Sequence, residues 1–329
     1  MENQKSSSPN TENARMVQTM IPNSAEGVRA DVFLAERFTY CSRNAWQKLI
    51  QSGNIKLNQR TIRTSRRLHA GEILSFETRG LKEPEVNRNY RILSDTPDYC
   101  AIEKSAGIPV HPSGCYFHNT LLSILNSDLH TTLFPVNRLD RETSGIVLFA
   151  KNTLAAKKLD SLFRLGKIEK EYLAAVHGEF LDMPVMADGF LIQDRNSPVR
   201  KKRHFLNKSD CETIPDEAES CCTEICRITY KNGLSLVKCI PHTGRLHQIR
   251  ATLHSLGYPL VGDKLYGLND RLYLSFIEGK LTEEDKKLLI LERQALHAEK
   301  LEFVSPFTGE KTMLHSELPR EISNLFHES

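Results

Sequence analysis

The chain has 329 residues, 40% hydrophobic and 26% charged, with a formal net charge of +3. That length allows two ordinary cores, and the composition is that of a soluble globular protein rather than a fibrous or disordered one. No apolar run approaches the roughly 20 residues of a membrane helix, and the polar start "MENQKSSSPNTENARM" lacks the apolar centre of a secretory leader.

Residues 1–26 read as a disordered tail, and residues 27–77 as one compact unit. In "VRADVFLAERF" a short helix places Val28, Phe33 and Leu34 on one side. Ser42 is a natural N-cap for a second helix with a stripe of Ala45, Trp46, Leu49 and Ile50, stopped by Gly53. "NIKLN" and "EILSFE" then alternate like strands around an arginine-rich loop. From Gly27 to Arg79 there are ten Lys or Arg against four Asp or Glu, a balance expected of a surface that faces nucleic acid.

The stretches "SRNAWQKLIQSGNIKLNQ" and "LHAGEILSF" resemble the RNA-binding module named after the fourth small-subunit ribosomal protein. The resemblance implies that Arg43, Lys48, Arg60, Arg63, Arg66 and Arg67 contact phosphates, which gives affinity and salt dependence but little sequence choice.

Residues 78–89 have the composition of a linker, and residues 90–329 form a larger domain. Its strand-like and helix-like segments lack regular βαβ alternation, so the expected class is α+β with a mixed, mainly antiparallel sheet and flanking helices. The segment from Arg195 to Ser220 is polar and loop-like, with a basic cluster from Arg200 to Arg203. The eight cysteines follow no framework spacing, and "CCTEIC" has neither a CxxC pair nor an HxH companion. They read as unpaired thiols in a reducing compartment, the cytoplasm, with no metal site.

Three stretches carry candidate chemistry. "NRLDRETSG" sets Asp140 between Arg138 and Arg141 on a turn ahead of the buried strand "IVLFA". Thr153 is placed to cap the helix that follows. "KEYLAAVHGEF" is a strand with Tyr172, Ala174 and Val176 on one face, a ring among small residues where something flat fits. "PHTGRLHQIRATLHSLGYPLVGD" turns into a helix expected near Arg245, with a stripe of Leu246, Ile249, Leu253 and Leu256. A cation at a helix start is mildly disfavoured by the macrodipole, and pairing with Asp140 would repair that.

Together with "RQALHAEKLEFVSP", these stretches resemble the motifs of the RluA-type pseudouridine synthases, in their usual order. The resemblance implies that Asp140 is the essential aspartate and that Tyr172 packs on the target uracil and assists proton transfer. It implies that Arg245 pairs with Asp140, while Arg138, His247 and Ile249 contact the substrate. The family pattern more often carries His where Asn137 and Ser305 stand, departures that touch substrate contacts rather than the reaction.

The implied reaction detaches uracil from ribose, turns it and rejoins it through C5, with no net oxidation and no outside group, so no cofactor is expected. RNA is the expected partner, ribosomal RNA first and transfer RNA second, with the enzyme a monomer. Whether Asp140 acts as nucleophile, base or charge stabiliser stays open. One rival is a non-catalytic RNA-binding or ribosome-assembly factor. Another is a glycoside hydrolase, which needs a second acid such as Glu142.

Overall fold

A computed structural model describes residues 16–38, 43–77, 83–113, 116–199, 201–269, 271–277 and 279–327. It divides into two compact units, residues 1–85 with 111–120, and residues 86–110 with 121–329. Ser42, Arg79 and Arg200 lie outside the described residues.

The first unit begins earlier than its composition suggests. Strand β1 (Met16–Met20) precedes helices α1 (Ala30–Arg37) and α2 (Arg43–Gln51), then strands β2 (Ile55–Leu57), β3 (Arg60–Thr61) and β4 (Ile73–Glu77). β1 pairs antiparallel with β4, from Met16 opposite Glu77 to Met20 opposite Ile73. The segment 16–26 is therefore part of the module and not of a tail. Val17, Ile21 and Ala25 pack on the module's core, too few apolar residues to mark the segment in sequence. That core centres on buried Trp46, whose ring lies 5.1 Å from Phe76 and whose indole N–H donates to the Phe38 carbonyl at 3.1 Å.

The second unit supplies the remaining strands: β5 (Tyr90–Asp95), β6 (Tyr99–Lys104), β7 (Phe134–Pro135), β8 (Ser144–Ala150), β9 (Ile168–His177), β10 (Val185–Gln193), β11 (Arg203–Asn207), β12 (Glu219–Lys231), β13 (Leu234–Pro241), β14 (Leu296–Val304) and β15 (Lys311–His315). They form one 11-stranded sheet in the order β11-β10-β12-β13-β9-β14-β8-β6-β5, with β15 beside β14 and β7 beside β8. The β14–β8 pair is parallel and the other pairs are antiparallel, as an α+β class requires. Helices α3 (Leu121–Asp128), α4 (Thr153–Arg164), α5 (Gln248–Ser255), α6 (Arg271–Ile277), α7 (Glu283–Leu289) and α8 (Arg320–Ser323) complete it. Among the described residues no helix is long and apolar enough to cross a membrane.

Three local expectations are corrected. The polar segment expected to be loop contains β11, held on β10 from Gly189–Asn207 to Gln193–Arg203. The cap of α4 is Asn152, one residue before Thr153, and its Oδ1 accepts the Ala155 N–H at 2.8 Å. Helix α5 starts at Gln248, not near Arg245, because His247 adopts a left-handed backbone with φ of 56°.

The central register positions the chemistry. Gly145, at the start of β8, lies opposite Ala298 on β14, and Ala298 lies opposite Tyr172 on β9. A β-carbon at Gly145 would collide with the Ala298 backbone, and its φ of 112° suits only glycine. The glycine lets two strands approach closely, so the turn that carries Asp140 emerges with only β14 between its strand and that of Tyr172.

Candidate active site

Every charge packed into "NRLDRETSG" has a partner or an exit. Asn137 extends the β7–β8 ladder with its side chain: Oδ1 accepts the Leu148 N–H at 2.7 Å, and its amide donates to the Ile146 carbonyl at 3.3 Å. Arg138 is exposed. Glu142 takes two bonds from the buried Lys264 ammonium, at 2.9 and 3.1 Å, and a third from Arg141 at 2.9 Å. Thr143 receives the Gln294 amide at 2.5 Å. The Arg141 carbonyl, one residue past Asp140, accepts from the Gly107 N–H at 2.8 Å and from Lys104 Nζ at 3.1 Å. Lys104 is fully buried and also donates to the Ser105 and Ile108 carbonyls, each at 2.9 Å. Burial and the nearby Arg293 push its pKa down to about 7.

Asp140 keeps 29% of its side-chain surface, open enough for a substrate atom to reach it. Its cation is Arg250, not Arg245. Arg250 Nη1 donates to Asp140 Oδ2 at 2.7 Å. The other side of the guanidinium grips the buried Asp263, Nε to Oδ2 at 2.7 Å and Nη2 to Oδ1 at 2.9 Å. Asp263 in turn accepts the Leu265 and Tyr266 backbone N–H groups at 2.9 Å each, so its carboxylate is fixed from both ends. Desolvation is the largest single influence and raises the Asp140 carboxyl, but the Arg250 charge and hydrogen bond, the His247 charge and a Gln294 hydrogen bond together outweigh it and hold the pKa at about 2.

Arg245 is exposed, with Nε donating to the Ser220 carbonyl at 3.1 Å. Its distance from the pair follows from the helix start, since residues before His247 belong to a turn rather than to α5. Gln248 ties that turn to β12: its amide donates to the Cys222 carbonyl and Thr223 hydroxyl, and its Oε1 accepts from Thr243 and the Arg245 N–H. Arg250 left a signal in sequence. It stands four residues after Leu246 and three before Leu253, a charge inside an apolar stripe.

Tyr172 is half-buried on the strand face that also carries Ala174 and Val176. Burial, then the Asp140 charge, pushes its hydroxyl up to about 12, so the ring is a neutral phenol beside a carboxylate. Ile249 is buried in the same cluster. His247 Nε2 lies 3.9 Å from Asp140 Oδ1, and its Nδ1 lies 3.0 Å from the Tyr266 hydroxyl. The site thus gathers Asp140, Tyr172 and His247 from the sequence candidates, with Ile249 beneath, and leaves Arg245 outside. Lys104, Arg250, Asp263, Lys264 and Gln294 are residues that the sequence did not single out.

In the first unit, three of the six basic candidates are tied down internally. Arg43 and Arg29 both bond Asp31, whose side chain is fully buried, at 2.9 Å, Arg66 bonds Glu72 at 2.8 Å, and Arg67 donates to the Gly27 carbonyl at 2.8 Å. Lys48, Arg60 and Arg63 are exposed.

A model of RNA pseudouridylate synthases matches residues 98–255, and an S4 domain model matches residues 28–74. The ribosomal large subunit pseudouridine synthase D of Xanthomonas campestris is 30% identical over 322 residues, covering 94% of this chain and 91% of that protein. The chain belongs to the RNA pseudouridylate synthase family. A mitochondrial tRNA pseudouridine(32) synthase of Saccharomyces cerevisiae is 32% identical over 243 residues, 74% of this chain. The chain spans 51% of that yeast relative and 39% of a human pseudouridylate synthase that it also matches. The solved structure of human RNA pseudouridylate synthase domain containing 4 shares the fold, with a TM-score of 0.55 at 24% identity over 70% of this chain and 90% of that one. Family membership thus rests on matches that cover both the sheet carrying Asp140 and Tyr172 and the small S4 module.

Proposed function

We propose that the protein is an RNA pseudouridine synthase that isomerises uridines in structured RNA, ribosomal RNA first and transfer RNA second. The observation that carries this reading is the divided carboxylate of Asp140. Arg250 holds Oδ2, while Oδ1 lies on the side of His247 and the carboxylate stays ionised. Such a group suits attack on C1′ of ribose, removal of a sugar proton, or stabilisation of a cationic sugar.

A uridine in an RNA helix must leave its stack to reach Asp140, at a cost of a few kcal/mol. Stacking on an aromatic face returns roughly 1–3 kcal/mol, a similar size, and Tyr172 is the ring placed to provide it. As a neutral phenol, Tyr172 passes a proton only if another group receives its own, which makes it a relay rather than a standing base. Lys48, Arg60 and Arg63 supply phosphate contacts from the S4 module. Arg138 is exposed next to Asp140 and extends that role to the larger unit.

The hydrolase alternative is disfavoured because Glu142, the second acid in the same motif, is committed to Lys264 and Arg141, and Asp263 to Arg250. A purely RNA-binding role gives no reason to keep an ionised carboxylate at an accessible position. The free thiols Cys100, Cys211, Cys221, Cys222, Cys226 and Cys239 fit a reducing compartment, and we place the enzyme in the cytoplasm.

Asp140→Asn is the direct test. It should bind RNA as the unmodified protein does and form no pseudouridine in a tritium-release assay on transcribed ribosomal RNA. Turnover above one hundredth of wild type by the folded variant would refute the assignment (roughly 3 kcal/mol of barrier).

A further inference from the structure

Tyr266 has no part in the chemistry above, yet its hydroxyl is wired to the site. The phenol oxygen accepts the Arg203 backbone N–H at 2.8 Å and lies 3.0 Å from His247 Nδ1. An oxygen that accepts one hydrogen bond still has its own proton to give, and Nδ1 is the partner in reach. With Nδ1 as the acceptor of that proton, the imidazole hydrogen sits on Nε2. Nε2 faces Asp140 Oδ1 across 3.9 Å, too far for a hydrogen bond and near enough for both to touch one substrate group. The left-handed backbone of His247 sets this direction, a conformation that side chains other than glycine rarely adopt.

We propose that Tyr266 is a positioning residue for the isomerisation, fixing His247 as the neutral Nε2–H tautomer so that this N–H holds the departing uracil as an anion beside Asp140. The inference rests on the pseudouridine synthase reading. When the C1′–N1 bond breaks, its electron pair leaves with the base, and the charge spreads over N1, O2 and O4. The sugar is balanced by a new bond from Asp140 to C1′, or by loss of its C2′ proton. A neutral N–H stabilises a uracil oxygen without giving up its proton. An imidazolium would protonate the anion and leave neutral uracil, which is a poor nucleophile at C5. With the anion kept, C5 bonds to C1′ as the Asp140–C1′ bond breaks or as C2′ regains its proton, and the C5 proton then passes to N1, so that atoms and charge balance.

The surroundings of His247 keep it neutral. Burial and the charges of Arg250 and Lys201 oppose protonation, Asp140 and Asp263 favour it, and the balance pushes its pKa down to about 4.

Tyr266→Phe removes one oxygen and keeps the ring that packs 4.8 Å from the Arg250 guanidinium. With histidine labelled in nitrogen-15, the wild-type protein should show the His247 proton on Nε2, and the variant a mixture of tautomers. That spectrum needs no turnover, so it separates this inference from the functional reading, which fails only if wild type makes no pseudouridine. In the variant, kcat should fall about tenfold at unchanged KM, the scale of a loosened donor, and free uracil should appear. His247→Gln, which keeps an N–H donor, should retain more turnover than His247→Ala. A wild-type proton on Nδ1, wild-type kcat in the folded Tyr266→Phe protein, or equal losses in the two His247 variants would each overturn the proposal.

Discussion

Replacing Arg250 by Met tests the central ion network most sharply. The guanidinium makes three bonds of 2.7 to 2.9 Å to two carboxylates. With it and its neighbours, the Asp140 pKa sits at about 2 instead of 3.8, a gap on the order of 2 kcal/mol in favour of the ionised form even after desolvation. That stability is present above the ordinary carboxyl pKa and is lost as pH falls through about 2. Without Arg250, desolvation raises both acids, opposed only by His247 and Gln294 at Asp140 and by the Leu265 and Tyr266 N–H groups at Asp263. Breaking such a pair costs about 3–5 kcal/mol at pH 7, or about 6–20 °C in Tm for a domain of this size. The penalty depends on pH: it is full where both acids are ionised and shrinks as pH falls through their raised pKa values. Calorimetric melts at pH 7 and pH 4.5 should therefore show a wide gap from wild type that narrows in acid. Arg245→Met, which loses one bond at the surface, should cost about 1 kcal/mol or less. The reasoning is refuted if Arg250→Met melts within 2 °C of wild type at pH 7 (less than about 1 kcal/mol), if the gap ignores pH, or if Arg245→Met loses more.

Three further outcomes follow from the geometry. Lys104→Met strands the Ser105 and Ile108 carbonyls and leaves that of Arg141 with the Gly107 N–H alone, and should destabilise by about 1–3 kcal/mol while lowering kcat more than RNA affinity, measured by denaturant melts beside single-turnover kinetics. The triple variant Lys48→Gln, Arg60→Gln, Arg63→Gln should weaken RNA binding and reduce the slope of log affinity against log salt by about 2–3, with kcat at saturating RNA unchanged; fluorescence anisotropy across a salt series checks it. Gly145→Ala should drive the β8–β14 strands apart, so soluble yield and Tm should drop together, whereas a wild-type melt would show that the strands have slack.

Much of this protein was readable from local pattern. The all-buried strand Ser144–Ala150 follows from an uninterrupted apolar run, and the inward face of β9 from the alternation of Tyr172, Ala174 and Val176. The motif order around Asp140 and Tyr172 pointed to the family that the comparisons bear out. Periodicity failed where few residues carry the signal: β1 shows one or two apolar contacts, and β11 is a five-residue edge strand in a polar stretch.

Sequence alone determined which residue types were present for the chemistry, because an aspartate on a turn before a buried strand and a tyrosine among small residues are local facts. Tertiary structure decided which cation Asp140 meets. Arg245 and Arg250 are five residues apart, and periodicity marks Arg250 only as a charge inside an apolar stripe, without naming its partner. The left-handed turn at His247 delays the helix to Gln248, and the buried Asp263 then draws Arg250 into the core. Ion pairs between distant segments depend on through-space distance and desolvation, and neither quantity is written in the order of residues along a chain.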